Sequence, residues 1–334
     1  MDNLKDRVTI YQVAQAAGVS LATVSRVINK RGNVTEETRK RVEATIAKLG
    51  YKPSGLAQAL ATNKSTNIGI IIPSANYVYL SNLLSGISDV AKKKGFVLTL
   101  FTTSHSREEA LSMIERVITS HVDGVIIFDD ELNESDIAEI NSYSVPTIVI
   151  NQNLEGKSIG SIVLNYPDAL ENILRRYLEE DGSKKMVFTH VLDGGRLLAT
   201  CEKRFVDLHR KLDKPFSIIN TDDSYAQTYA DALNYFRTNR GGEYFVAYRD
   251  SIAAAISNAA LDSGLRIPED IEVLSIVETK YAHIVRPHLS AINIDMIGVG
   301  TRAMYMLADL LNANLEKKSY AFEGVYNHRE STLG

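Results

Sequence analysis

The segment VTIYQVAQAAGVSLATVSR, residues 8–26, constrains this chain most. Its first half repeats apolar residues at helical spacing and predicts a short helix with one buried face. Those residues are Ile10, Val13, Ala14 and Ala17, with Thr9 as a candidate N-cap. Gly18 can end this helix in the left-handed conformation, and Ser20 can cap a second helix that runs to about residue 29. The pattern is typical of a helix-turn-helix that binds DNA, although an ordinary helical hairpin shares it.

Further helices follow this pair. Residues 35–49 predict a third amphipathic helix, with Val42, Ile46 and Leu49 on one side and Gly50 after its end. Residues 54–62 predict a short helix that only a partner chain or DNA would order, and a plain linker is the alternative. Residues 1–66 carry a net charge of +6 and the remainder carries −10, which favours nucleic-acid contact by the front end alone. The expected phosphate contacts there are Arg26, Lys30, Arg31, Arg39 and Lys40.

Composition indicates a small domain followed by a large one. The 334 residues are 45% hydrophobic, which is enough for a substantial core. No apolar run reaches membrane-spanning length, and MDNLKDR lacks a signal core, so we expect a cytoplasmic protein without membrane contact. Cys201 is the single cysteine, which excludes an internal disulfide and fits a reducing compartment.

From residue 67 onward, strands and helices alternate, which predicts an α/β body. Continuous Val and Ile runs indicate parallel strands covered on both faces. The predicted strands are 67–73, 96–103, 124–128, 146–151, 185–190, 216–220, 244–248 and 271–277. The predicted helices are 80–94, 107–120, 136–142, a segment from after 165 to about 178, 202–211 and 250–263. Two such open sheets leave a cleft at the carboxyl ends of their strands, where a small ligand is expected.

Several motifs together resemble the lactose-repressor (LacI/GalR) family of bacterial transcription regulators along the whole chain. They are VTIYQVAQAAGVSLATVSRVIN, LGYKPS, LAQALA, HVDGVII, RIPEDIEVL, VRPHLSAINID and NHREST. The resemblance implies an N-terminal helix-turn-helix domain and a periplasmic-binding-protein-like core of two doubly wound parallel-sheet subdomains. It also implies a homodimer on a pseudopalindromic operator.

The resemblance also gives domain boundaries. The helix-turn-helix domain is expected at 1–51 and a hinge helix with its linker at 52–66. The core is expected at 67–334. Within it, the N-subdomain takes about 67–164 and 293–325, and the C-subdomain takes about 165–292 and 326–334.

The same resemblance assigns the DNA contacts. Leu21, Ala22 and Arg26 are expected to contact bases in the major groove, where an arginine can bind guanine through two hydrogen bonds. The Leu21–Ala22 pair is similar to that of catabolite-control-type members. Supporting or phosphate contacts are expected from Ser20, Thr23, Ser25 and Asn29. In the hinge, Leu60 occupies the position of a minor-groove wedge, with Ala57 beside it, and packing between two hinge helices is the alternative role.

The ligand cleft departs from the family pattern. Cys201 stands in place of a sugar-binding arginine and Val277 in place of an acidic residue, which disfavours a neutral pyranose. Arg249 with Lys203 or His190 would favour an anion such as a phosphorylated sugar. Alternatively, these side chains pair with nearby carboxylates. The full set of candidate effector residues is Tyr79, Asn165, His190, Lys203, Arg249, Asp250 and Glu278.

The sequence also bears on other partners and on an enzymatic role. A phosphocarrier protein docked on the N-subdomain, near Arg302 and the helix at 80–94, is compatible with an altered cleft, although that helix also suits a dimer interface. No hydrolase, phosphate-loop or paired-cysteine motif occurs, so neither enzyme activity nor a metal or cofactor is expected. GVGTRA, residues 298–303, matches a dinucleotide fingerprint by spacing but not by context, and is interpreted as a helix start with small packing residues. We therefore expect a repressor of a carbohydrate-related operon, with a carbohydrate-binding protein as the alternative.

Overall fold

The computed structural model describes residues 8–29, 32, 34–52, 65–74, 77–103, 106–129, 132–154, 156–180, 182–192 and 194–333. Contacts divide the chain into two compact units, residues 1–66 and 67–334. Across these described ranges, no helix is both long and apolar enough to cross a membrane. Nor does any group of three or more His, Cys, Asp or Glu within them form a metal-binding arrangement.

The first unit contains the three predicted helices, α1 (Ile10–Ala17), α2 (Leu21–Ile28) and α3 (Glu36–Leu49). Thr9 caps α1 in a capping box with Gln12, and Gly18 ends the helix at φ 62°. Ser20 caps α2 by accepting a hydrogen bond from the Thr23 backbone N–H at 3.2 Å. The tight turn therefore follows from the residue types Thr, Gly and Ser at three specific positions.

A small apolar core holds these helices together. Its buried members are Val13, Ala14, Ala17, Val24, Val27 and Val42. Ile46, predicted to lie on the apolar side of α3, is partly buried at the edge of this core, and so is Ile28 of α2. Thr35 caps α3 and Gly50 follows its end at φ 68°, which agrees with the predicted helix at 35–49. The short helix predicted at 54–62 lies outside the described residues.

The second unit contains two six-stranded sheets. The first has the order β11-β5-β4-β3-β1-β2 and consists of β1 (Asn67–Ile72), β2 (Val97–Thr102), β3 (Gly124–Ile127), β4 (Thr147–Ile150), β5 (Ile159–Asn165) and β11 (Ser319–Glu323). The second has the order β12-β10-β9-β8-β6-β7 and consists of β6 (Lys185–Val191), β7 (Phe216–Thr221), β8 (Glu243–Arg249), β9 (Ile271–Val277), β10 (Ser290–Asn293) and β12 (Val325–Asn327). The β10–β12 pair is antiparallel, and the other pairs formed by these strands are parallel.

Helices cover both sheets. Those that accompany the first sheet are α4 (Val78–Lys94), α5 (Arg107–Thr119), α6 (Glu134–Ser142) and α12 (Met296–Leu311). Those that accompany the second are α7 (Tyr166–Glu180), α8 (Gly195–Lys211), α9 (Tyr225–Thr238), α10 (Asp250–Asp262) and α11 (Tyr281–Ile284). The chain passes from the first sheet to the second after Asn165, returns after Asn293 and crosses again at Gly324.

Helices α4 and α12 pack unusually closely through glycines. A Cβ at Gly86 of α4 would collide with the carbonyl oxygen of Ile297, and one at Gly300 of α12 would collide with that of Leu83. Each glycine therefore allows one helix backbone to touch the other. This contact confirms that GVGTRA, residues 298–303, is a helix start whose small residues serve packing.

Some elements differ from the sequence expectations. The helix predicted from about residue 202 begins at Gly195, a full two turns earlier. Strands β5, β10, β11 and β12 and helix α9 were not predicted from periodicity. Strand β11 alternates exposed and partly buried residues, so it lacks the continuous apolar run of a central strand. Helix α9 carries many polar residues, which weakens the apolar periodicity of a helix.

Candidate functional site

Helix α2 exposes the residues expected to contact bases. Leu21 is 38% exposed, and Ala22 and Arg26 are also exposed, while Val24 and Val27 fill the core behind them. The exposed set follows from helical periodicity, because Ala22 and Arg26 lie one turn apart. Within the described residues, the Arg26 guanidinium takes part in no hydrogen bond or ion pair. The helix thus presents a small apolar patch, formed by Leu21 and Ala22, beside the guanidinium of Arg26.

The supporting residues of α2 are partly held by local hydrogen bonds. The hydroxyls of Ser20 and Thr23 lie 2.9 Å apart at the start of the helix. At its end, the Asn29 side-chain amide donates to the Ser25 carbonyl at 2.9 Å and to the Ser25 hydroxyl at 3.3 Å. These bonds fix the side chains that flank the exposed patch. Lys30 and Arg31, and the hinge residues Ala57 and Leu60, lie outside the described residues.

The cleft of the second unit lies where the strands end. Its empty space of about 650 Å³ includes open solvent. Lining residues follow β1, β3, β4, β5, β6, β8 and β9, which is the expected location in open parallel sheets. They are Pro73, Tyr79, Phe128, Asp129, Asn151, Leu164, Tyr166, Gly194, Gly195, Leu197, Tyr248, Arg249, Val277 and Met296. The lining is therefore largely apolar and aromatic.

Arg249 links the walls of this cleft. Its Nη1 donates to Asp223 at 2.7 Å, and its guanidinium lies 4.0 Å from the ring centre of Tyr77 and 4.8 Å from that of Tyr248. The Tyr77 hydroxyl also donates to Asp223 at 3.0 Å, which joins the segment after β1 to the segment after β7. Burial acts to lower the pKa of Arg249, but Tyr79 and the other neighbours outweigh it, so the pKa is raised and the cation persists.

One buried polar atom of the cleft lining has no hydrogen-bond partner within the described part of the chain. Nε of Arg249 is buried and forms no hydrogen bond there. Tyr166, which also lines the cleft, is only 3% exposed. Burial raises the pKa of Tyr166 far above its ordinary value, so its hydroxyl keeps its proton as a donor.

Of the seven candidate effector residues, Tyr79 and Arg249 line the cleft. Asp250 instead accepts hydrogen bonds from the Thr279 backbone N–H at 2.6 Å and from the Ala282 N–H at 3.1 Å. These bonds join the start of α10 to the segment after β9. Burial raises the pKa of the Asp250 carboxyl, and these bonds oppose that rise. Glu278 is bonded to Arg329 at 2.7 Å.

The remaining three candidates are engaged elsewhere. His190 lies 2.6 Å from Glu202, which is the pairing that the alternative interpretation anticipated. Asn165 donates to Glu323 at 2.6 Å. Lys203 lines a separate groove between α7 and α8. Arg249 is thus the one cation among the described residues that line the cleft.

Of the two substituted family positions, Val277 lines the cleft and Cys201 does not. Cys201 is fully buried, and burial raises the pKa of its thiol to about 12, so the side chain is a neutral core group. Arg204 pairs with Asp168 at 2.8 Å and Glu171 at 2.9 Å. Periodicity could not identify the lining residues Phe128, Asp129 and Tyr166. Each of them lies just after the end of a strand, and that position is the sequence feature that could have indicated them.

Comparisons with known proteins cover both units. The family model described as bacterial regulatory proteins, lacI family, matches residues 9–54, and a periplasmic binding protein-like domain matches residues 243–332. Catabolite control protein A of Staphylococcus xylosus is 30% identical over 315 residues, which cover 91% of this chain and 93% of that protein.

Solved structures agree with the fold. The lac repressor dimer bound to operator and the anti-inducer ONPF has a TM-score of 0.82 at 24% identity, over 98% of this chain and 100% of the other. A LacI family transcriptional regulator from Arthrobacter sp. FB24, in complex with lactose, has a TM-score of 0.67 at 21% identity, over 80% of this chain and 98% of the other. The predicted fold class, three N-terminal helices followed by two parallel-sheet subdomains, is confirmed.

Proposed function

The chain belongs to the lacI family of bacterial regulatory proteins and is a DNA-binding transcription regulator; on that premise, we propose that it represses a carbohydrate-related operon. It binds a pseudopalindromic operator as a homodimer in the cytoplasm. Each copy inserts α2 into the major groove of one half-site. The observation that carries the proposal is the exposed face of α2, where Leu21, Ala22 and Arg26 stand clear of the core.

The apolar surface of the second unit supports the homodimer. Strand β2 forms one edge of the first sheet and exposes 62% of Val97 and 43% of Leu100. Strand β7 forms one edge of the second sheet and exposes 40% of Ile218. Exposed apolar edge strands are usually covered in a folded protein. A second copy that covers these edges gives the two-fold symmetry that a palindromic site requires.

The hinge completes the DNA contact in this proposal. Leu60 wedges into the minor groove at the centre of the operator, with Ala57 beside it. Unstacking a base step costs a few kcal/mol, which additional contacts to bent DNA offset. The operator should therefore have a deformable centre.

The signal that controls DNA binding is proposed to be a small molecule in the cleft. The Arthrobacter regulator of similar fold is in complex with lactose, which supports a small-molecule effector. A phosphorylated sugar and a phosphocarrier protein remain predictions. Arg302, suggested for a phosphocarrier surface, lies over the Tyr320 ring at 4.6 Å.

Selection of bound DNA from a random pool with the purified full-length protein tests the proposal. We expect enrichment of a palindrome and two copies of the chain per duplex by analytical ultracentrifugation. A Leu60→Ala variant should lose affinity and DNA bending together, whereas unchanged bending would remove the wedge. If no sequence were enriched at a defined salt concentration, the proposed operator recognition would be wrong.

A further inference from the structure

Two helices at the cleft begin with residues that cannot cap them. Tyr77 is the N-cap residue of α4, which accompanies the first sheet, and Arg249 is the N-cap residue of α10, which accompanies the second. Neither side chain makes a capping hydrogen bond, although Ser, Thr, Asp and Asn are the residue types that normally provide one. The two side chains therefore serve a contact outside their own helices.

That contact joins them to each other and to Asp223. The guanidinium of Arg249 lies 4.0 Å from the ring centre of Tyr77. Asp223, in the segment after β7, accepts a hydrogen bond from the Tyr77 hydroxyl at 3.0 Å and another from Nη1 of Arg249 at 2.7 Å, both on Oδ2. The segment after β1 in the first sheet is thereby bonded to the segments after β7 and β8 in the second.

These bonds form where solvent has little access. The Arg249 side chain is 10% exposed and that of Asp223 is 26% exposed. Hydrogen bonds that involve charged groups are roughly twice as strong as neutral ones, and a less polar environment strengthens them further. A cation over a tyrosine ring adds an attraction that also grows as the pair loses water. The three side chains therefore hold the two walls of the cleft together.

The orientation of Arg249 serves this contact and not a ligand. Its Nη1 is bonded to Asp223, and its Nε is buried where solvent does not reach it. Leaving Nε without a partner in the described part of the chain costs free energy. The guanidinium keeps this orientation because its contacts with Asp223, Tyr77 and Tyr248 outweigh that cost.

A second hydrogen bond crosses the same cleft. Nη2 of Arg196, in the first turn of α8, donates to the carbonyl oxygen of Leu132 at 3.3 Å. Leu132 lies just before α6, which accompanies the first sheet, whereas α8 accompanies the second. The side-chain amide of Gln152 donates to the same carbonyl at 3.0 Å and so helps to fix the acceptor. The two walls are thus bridged at two separate points.

We infer that Tyr77, Asp223 and Arg249 form a latch that holds the two sheets together across the cleft, and that a small molecule enters the cleft only when this latch opens. Opening separates the Tyr77 hydroxyl from Asp223, whereas the Arg249–Asp223 pair stays together on the side of the second sheet. A ligand shifts this equilibrium only as far as it binds one of the two states better. The opening itself does not depend on DNA, and its use in regulation rests on the proposed function.

The reaction rate of a thiol inside the cleft measures the opening of the latch. Val277→Cys places a thiol there with little change in volume, because Val277 lines the cleft and is 3% exposed. N-ethylmaleimide is an uncharged reagent, and mass spectrometry of the labelled full-length protein distinguishes the new thiol from Cys201. Cys201 is fully buried and does not line the cleft, so it reacts only when that part of the chain unfolds. The labelling rate of the new thiol follows the open fraction when closing is faster than labelling.

A Tyr77→Phe substitution in this background removes the hydroxyl and keeps the ring. We expect the new thiol to react about tenfold faster or more, because the lost bond is to a charged group, with no change at Cys201. Tyr235→Phe is the matched control, because that hydroxyl also donates to a carboxylate, that of Glu243, but within the second sheet and its helices and away from the cleft lining. Unchanged labelling in Tyr77→Phe, an equal acceleration in Tyr235→Phe, or an equal acceleration of both thiols would overturn the latch.

The same substitution in an Asp223→Ala background tests the contact itself. Asp223→Ala removes the acceptor of both Tyr77 and Arg249, so it should accelerate labelling more than Tyr77→Phe does. Adding Tyr77→Phe should then change the rate by less than about twofold, because the hydroxyl has already lost its acceptor. If the two effects multiplied in full, Tyr77 would act through another contact and the assignment of the latch would be wrong.

Selection of bound DNA with the same full-length preparation keeps the two proposals apart. A protein that enriches a palindrome but shows no effect of Tyr77→Phe on labelling would overturn the latch and leave the proposed function standing. A protein whose labelling depends on Tyr77 but which enriches no palindrome would do the reverse.

Discussion

An Arg26→Ala substitution should remove sequence-specific DNA binding and leave the fold intact. Arg26 is exposed on α2, and no described residue forms a hydrogen bond or an ion pair with its side chain. Its loss therefore breaks no hydrogen bond or ion pair within the described structure. We expect the free energy of unfolding to change by less than about 0.5 kcal/mol.

The loss of operator affinity should be much larger. A bidentate contact between arginine and guanine contributes about 1–3 kcal/mol of discrimination. A homodimer places one Arg26 in each half-site, so the two losses amount to about 2–6 kcal/mol if they add. At 1.4 kcal/mol per factor of ten, the dissociation constant rises roughly 30-fold to more than 10,000-fold.

Fluorescence anisotropy at one fixed salt concentration, with the selected operator and a scrambled duplex, measures the effect. Arg41→Ala is the matched control, because Arg41 is exposed on α3 and its removal deletes the same charge. The control should weaken binding to both duplexes equally, whereas Arg26→Ala should act mainly on the operator. If both variants lost the same factor on the operator, Arg26 would contact phosphate alone and α2 would not be the recognition helix.

Three further predictions concern stability. Gly300→Ala should destabilise the protein by about 1–3 kcal/mol in urea denaturation, because the new Cβ meets the Leu83 carbonyl oxygen in the α4–α12 contact. Glu272→Gln should cost about 3 kcal/mol in the same assay, because it leaves the buried ammonium of Lys184, 3.0 Å away, without its counter-charge; an unchanged free energy of unfolding would contradict this. Burial lowers the pKa of His209 below 6.5, so the unfolded chain binds a proton at this residue at a higher pH than the folded chain does. The wild-type protein should therefore lose stability as the pH falls through 6.5, whereas a His209→Gln variant should not. A parallel pH profile for both proteins would exclude this role of His209.

The DNA-binding helices could be predicted closely because their determinants are local. Thr9, Gly18 and Ser20 act on the backbone within one turn, and the inward valines recur at helical spacing. Strand β9 was predicted at residues 271–277, as found, because a central parallel strand is one apolar run. By contrast, strand β11 pairs with β5 across more than 150 residues of sequence, and only that pairing makes it a strand. Periodicity carries no information about such long-range partners.

The cleft was harder to predict because its residues come from separate strand ends. Tyr79 and Arg249 were identified as candidates, but a charged residue in the right segment can also face a neighbour, as the His190–Glu202 contact at 2.6 Å demonstrates. Sequence spacing identifies the segment in which a charged residue lies but not the group that its side chain contacts. The choice between ligand contact and internal pairing depends on tertiary geometry, which a single sequence does not contain.

One of the two departures from the family pattern changes the cleft wall itself. Where the resemblance places a sugar-binding arginine, Cys201 is a neutral group in the core that does not line the cleft, and where it places an acidic residue, Val277 forms part of the cleft wall. Val277 therefore puts apolar surface where a charge would bind hydroxyls. A carboxylate or guanidinium facing a polyol cannot be exchanged for apolar groups without leaving buried hydroxyls unsatisfied.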